Sequence, residues 1–148
     1  MNGERKVKAD EQRAPPASEP GVEARIAAVA LMEAALARRN GLDEALNTPA
    51  LRRLSAPDRA FARATAMAAL RRLGEFDQML DRRLKKSPPL AVRNILRIAL
   101  AQTQTLGTPA FAAVSTAVRQ AERDAATRPY KALVNAVRLR LRGDTPFG

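Results

Sequence analysis

The stretch SAPDRAFARATAMAALRRLG, Ser55 to Gly74, decides the fold class. It opens like a helix N-terminus, with Ser55 as cap, Pro57 in the first turn and Asp58 three residues after the cap. From Ala60 to Leu70 its single charge is Arg63. A helix apolar nearly all round is a buried one, so this segment is expected to be the central helix, ended by Gly74.

Helical signals continue on both sides. Upstream, Val22 to Arg39 reads as a helix with Ile26, Val29, Ala30 and Ala37 toward the core, stopped at Asn40-Gly41. Short helical turns are expected near Leu42 to Leu46 and Pro49 to Leu54. Downstream, Phe76, Leu80 and Leu84 recur every four residues in EFDQMLDRRLKK. The next helix has Val92, Ile95, Leu96 and Ala99 as its inner stripe, and Gly107 stops it. Thr108 then caps a helix begun by Pro109, with Phe111, Val114, Val118, Ala121 and Ala125 inward. Pro129 opens the last helix, whose apolar face is Tyr130, Leu133, Val134, Val137 and Leu141. The alternation Arg138-Leu139-Arg140-Leu141-Arg142 resembles a strand, but its helical context makes it a helix end carrying cations against the dipole.

The expected architecture is therefore all-α, a bundle of six to seven helices. Residues 1–20 hold one large apolar residue, Val7, and three prolines, so they read as a disordered tail. Residues 21–143 form the folded domain, and 144–148 the start of a linker or a disordered end.

Charge and absences bound the function. The 148 residues carry 26 Lys and Arg against 15 Asp and Glu, a net charge of +11. The tail is neutral, with four residues of each sign, so the excess belongs to the folded part. Such a charge makes a polyanion the default partner, nucleic acid first, and no long uncharged run suggests a membrane. The chain has no Cys and no His, which removes zinc sites of those ligands, thiol and Ser-His-Asp nucleophiles and imidazole acid–base chemistry. Its glycines are too scattered for a phosphate-cradling loop. No catalytic or metal residue is assigned, and a reducing, cytoplasmic setting is expected from the missing Cys and the missing apolar leader.

Three segments in order, SAPDRAFARATAMAALRR, ILRIALAQTQTLGTPAFAAVSTAV and LVNAVR, resemble the NusB-like RNA-binding fold. The likeness spans about residues 22–142. It is nearest to the module that precedes the catalytic domain of bacterial 16S rRNA 5-methylcytosine methyltransferases, the RsmB/Sun/Fmu group. The resemblance implies two helical subdomains, of three and then four helices, with RNA, 16S rRNA in that group, as partner. It also implies S-adenosylmethionine as cofactor of a catalytic domain, to which this module could dock intramolecularly. Two features favour that group over NusB antitermination factors, which bind leader RNA with a ribosomal protein. Arg138, Arg140 and Arg142 follow the "VN" pair where antitermination factors usually have an acid, and the LGTP..AAV.TAV wording is closer. Two positions depart from the pattern: Arg138-Leu139 inverts the usual Leu-Arg, and Ser115 stands for an asparagine. The methyltransferase reaction needs a Cys thiolate, so on this reading the chain is the RNA-binding module alone.

Candidate RNA-binding residues are Arg25, Arg82, Arg83, Lys85, Lys86, Arg93 and Arg97. Arg25 is carried by the resemblance, as the arginine opening the first helix. Arg82, Arg83, Lys85 and Lys86 end one helix, where they either complement its dipole or meet phosphates. Arg93 and Arg97 are like charges one turn apart, tolerated if an anion uses them or if an acidic neighbour pairs with them. Asp58 and Arg59 match a family "DR" but read as a cap and a local pair; Asn135 as a hydrogen-bonding cap or bridge of helices; Glu33 as the partner of a buried-edge arginine. Of the aromatics, Phe61, Phe76 and Phe111 are expected in the core, leaving Tyr130 and Phe147 for stacking. The expected function is thus RNA binding by shape and phosphate. Antitermination is the alternative, and docking on a protein is a third reading.

Overall fold

In the computed structural model, residues 20–37 and 48–137 are described. They form seven α-helices and no strand: α1 (Pro20–Ala37), α2 (Pro49–Arg52), α3 (Ala56–Arg71), α4 (Leu73–Arg83), α5 (Leu90–Thr105), α6 (Ala110–Glu122) and α7 (Lys131–Ala136). A 3-10 turn, Arg128–Tyr130, precedes α7. The all-α expectation holds. The readings for residues 1–19, the Asn40-Gly41 stop, the Leu42–Leu46 turn, and residues 138–148, Phe147 among them, fall outside the described residues.

The central helix is α5, not α3. It buries Val92 and every residue from Asn94 to Thr103, and packs against α1, α3, α4 and α6. Its Ile95, Leu96, Ile98 and Leu100 each gain about 1.5–3 kcal/mol from full burial, far more than an alanine can. α3 looked buried because alanines fill it. Alanine favours helix whether covered or not, and Arg63 and Ala64 lie exposed on the outer side. The inner side of α3 buries Ala62, Thr65, Ala66, Ala68 and Ala69.

α1 begins at Pro20 and packs on α3 with a matching face of Ala24, Ala27, Ala28, Leu31 and Met32. The expected stripe is thus displaced: Val29 is buried, Ile26 and Ala30 are half-buried, and Ala37 is exposed.

Local chemistry sets the other boundaries. The Ser55 hydroxyl accepts from the Asp58 N–H at 3.3 Å, the expected cap of α3. Arg59 bonds to the Leu51 and Leu54 carbonyls at 3.1 and 2.9 Å, satisfying the end of α2. The break between α3 and α4 falls at Arg72, and Gly74, expected to stop α3, lies inside α4. Phe76, Leu80 and Leu84 are buried as their spacing implies. α5 stops at Gly107, whose φ of 74° is the left-handed conformation glycine tolerates. The Gln102 carbonyl accepts from the Leu106 and Thr108 N–H groups there, at 3.1 and 3.0 Å. The next helix begins one residue later than expected: Pro109 is the N-cap of α6, its carbonyl accepting from Ala112 and Ala113.

α6 buries Ala113, Ala117, Gln120 and Ala121, about one residue round from the expected stripe. Val114 and Val118 are half-buried, Ala125 is exposed, and Phe111 is 78% exposed. In the last helix Val134 and Val137 are buried, with Leu133 and Tyr130 packed on the core. α7 ends at Ala136, and Val137 is already extended (φ −71°, ψ 127°), so the expected helix does not run on through Val137. One contiguous core joins α1–α3 and α4–α7.

Candidate nucleic-acid interface

Most of the predicted arginines are held by partners of the fold itself. Arg97 is 8% exposed and grips Asp77 of α4 at two points, Nε to Oδ1 at 2.9 Å and Nη2 to Oδ2 at 2.8 Å. Arg93 donates to Asp77 Oδ1 at 3.2 Å, Asp81 Oδ1 at 2.8 Å and Ser87 Oγ at 3.2 Å. Of the two ways such a like-charged pair is tolerated, the acidic neighbour is observed: Asp77 sits between both guanidiniums. The hydrogen bond from Arg97 holds the Asp77 carboxyl below its ordinary range, against the opposing effect of burial. Burial works against the Arg93 charge, but bonds to Asp81 and Asp77 outweigh it and its pKa is raised. The network extends to α1: Asn94 accepts from Arg97 Nη1 at 2.8 Å and donates to Glu33 Oε2 at 2.9 Å. Glu33 therefore answers an asparagine where an arginine was expected.

Arg25 is half-buried on α1. Its Nε and Nη2 donate to Gln102 Oε1 at 3.1 and 2.8 Å, its Nη1 to the Gly21 carbonyl at 3.0 Å. The guanidinium lies 4.4 Å from the centroid of the half-buried Phe61 ring. Desolvation lowers its pKa, opposed by the charge of Asp58.

The cations at the end of α4 are placed differently. Arg82, Lys85 and Lys86 are exposed and make no ion pair among the described residues; Arg83 is half-buried and bonds to the Met79 carbonyl at 3.1 Å. The nearest acids on their own helix, Asp77 and Asp81, are already engaged by Arg93 and Arg97. Leu90, 64% exposed, stands at the start of α5, shortly after this cluster in the chain.

Sequence reasoning missed Arg53, which is exposed just after α2, and Arg63 and Arg71, which are exposed on α3. Arg63 was readable as the one charge in an apolar run, hence as the solvent side of α3. Phe111 was missed as an available aromatic, and Tyr130, expected to be available, is half-buried against the core. Asn135 is exposed and bridges no helices. A groove of about 490 Å³ is lined by apolar residues such as Ile26, Val29 and Ile95 and by charges of both signs, Glu33, Asp124 and Arg123, so it is no simple phosphate site. Among the described residues no acidic group could hold a metal ion, and no helix is long and apolar enough to cross a membrane.

A small all-helical bundle with unneutralised surface cations is the class these features define. The family model of the NusB family matches residues 22–140, and the chain belongs to that family. Membership suggests RNA binding. Comparisons with curated proteins and with solved structures gave no match.

Proposed function

We propose that this chain is the RNA-binding module of an S-adenosylmethionine-dependent rRNA (cytosine-5-)methyltransferase. It acts in the cytoplasm by holding 16S rRNA for a catalytic domain outside these 148 residues. The observation that carries the reading is the cluster Arg82, Lys85 and Lys86, exposed and without carboxylate partners among the described residues, on a NusB-family bundle of charge +11. Such a surface exchanges condensed counterions for its own cations when a phosphate backbone binds. The methyltransferase assignment is supported by Arg138, Arg140 and Arg142 after the "VN" pair and by the LGTP..AAV.TAV wording. In this reading the chain is no enzyme and holds no cofactor: methyl transfer uses a thiolate, and the chain has no Cys.

The test is titration with a 16S rRNA fragment, an unrelated RNA and duplex DNA at several salt concentrations. Expected is preference for the rRNA, with a log–log salt slope of several units, about 0.7–0.9 per phosphate contact. Replacing Arg82, Lys85 and Lys86 together by Ala should lower that slope by about 2. Absence of RNA binding at low salt overturns the reading in favour of a docking module. Preference for leader RNA, strengthened by a ribosomal protein, overturns it in favour of antitermination.

A further inference from the structure

We propose that Phe111 is a stacking platform for an unpaired base of single-stranded RNA, an inference that rests on the RNA-binding reading above. A phenyl ring 78% exposed on the first turn of a well-formed helix has no role in the core. Leu106, 38% exposed, lies five residues earlier across the Gly107 corner. One exposed arginine stands at the helix junction tied to this corner. Arg72, whose charge is matched by Glu75, reaches from the α3–α4 junction to the Gln104 carbonyl at 3.1 Å and Thr105 Oγ1 at 3.2 Å, which ties that junction to the end of α5; Arg71 beside it is exposed and makes no ion pair among the described residues. An exposed ring and a surface cation are the two parts of a single-strand site: the Phe111 ring takes a base face, Arg71 the backbone.

Size favours a base over a protein. One phenylalanine and one leucine offer far less than the roughly 800 Å² per partner of a stable protein interface, whereas one ring matches one base. The charge of +11 also favours a polyanion over a second copy of the chain.

The full chain should be titrated with a labelled 12-nucleotide oligouridylate, single-stranded and then paired to its complement. Phe111→Ala should weaken single-strand binding about 5- to 100-fold and leave the salt slope unchanged, because no phosphate contact is lost. Phe111→Trp should keep the affinity. The chain has no Trp, so the new indole is a lone reporter, and its fluorescence should be quenched on binding. Far-UV circular dichroism checks that both variants fold. Unchanged binding by Phe111→Ala, or an unquenched indole, overturns the stacking proposal. The RNA-binding reading still stands in that case if the Arg82, Lys85 and Lys86 replacement weakens binding. No binding by the unmodified chain at low salt overturns both. A dimer that Phe111→Ala turns into a monomer in sedimentation assigns the ring to a protein interface and overturns the proposal.

Discussion

Arg97 of α5 and Asp77 of α4 form a two-point ion pair, 2.9 and 2.8 Å, with the arginine nearly withdrawn from solvent. The pair fixes α4 against the central helix, and Arg93 and Asn94 extend it to Asp81 and Glu33.

Breaking the pair from one side should be costly, because a buried guanidinium is left without its anion. Asp77→Ala should destabilise the fold by about 3–5 kcal/mol, read by urea unfolding. Joint replacement by Asp77→Leu and Arg97→Met should cost clearly less than Asp77→Ala, because no buried charge is then unpaired. A double variant as unstable as the single one would refute this account.

Acid should weaken the protein through the same residue. The Asp77 carboxyl is held below its ordinary range by Arg97. Its contribution is full above the unfolded value, about 3.9, and is lost as pH falls through the depressed folded value. Asp77→Asn should flatten this acid limb of a pH–stability curve. Glu75→Gln should barely alter it, because Glu75, also lowered by its hydrogen bond to Arg72, is exposed.

Gln102 is buried and its side-chain amide oxygen, Oε1, takes two donors of Arg25. Gln102→Leu keeps most of the volume but strands that guanidinium over Phe61. The expected loss is about 1–3 kcal/mol in thermal unfolding. Arg25→Lys should fail to substitute, since an ammonium cannot present the two-pronged donor.

Gly107→Ala should destabilise by about 1–2 kcal/mol for a conformational reason alone. An added Cβ meets nothing within 4 Å, but φ is 74°. Thermal melts of this variant beside Gly74→Ala discriminate the cause. Gly74 is helical and also has open space, so alanine there should stabilise the protein, by up to about 1 kcal/mol.

Helix number and type were legible in this sequence because the signals are local. Ser55, Pro109 and Gly107 punctuate the chain through their own backbone chemistry, to within a residue. Faces were less legible. In α6 the stripe drawn through Phe111, Val114 and Val118 follows the largest apolar residues, yet the buried side is Ala113 and Ala117 together with Ala121, which alone of the expected stripe is buried. Side-chain size ranks burial only where space allows it, and a close helix contact selects the small residue. A different error promoted α3 over α5: alanines count as apolar in a sequence whether or not they are covered.

The candidate site shows the same division. Arg93 and Arg97 are as cationic in the sequence as Lys85 and Lys86, but only the fold sets Asp77, 16 and 20 residues away, between the two arginines. By itself, the sequence determined an all-helical chain, its punctuation and a positive charge carried by the folded part, because propensity, capping and charge count act locally or simply add. Only the tertiary structure decided which cations are consumed within the protein and which face solvent, and that Phe111 stands outside the core. Pairing and burial depend on distances between residues far apart in the chain, and those exist only once the helices have packed.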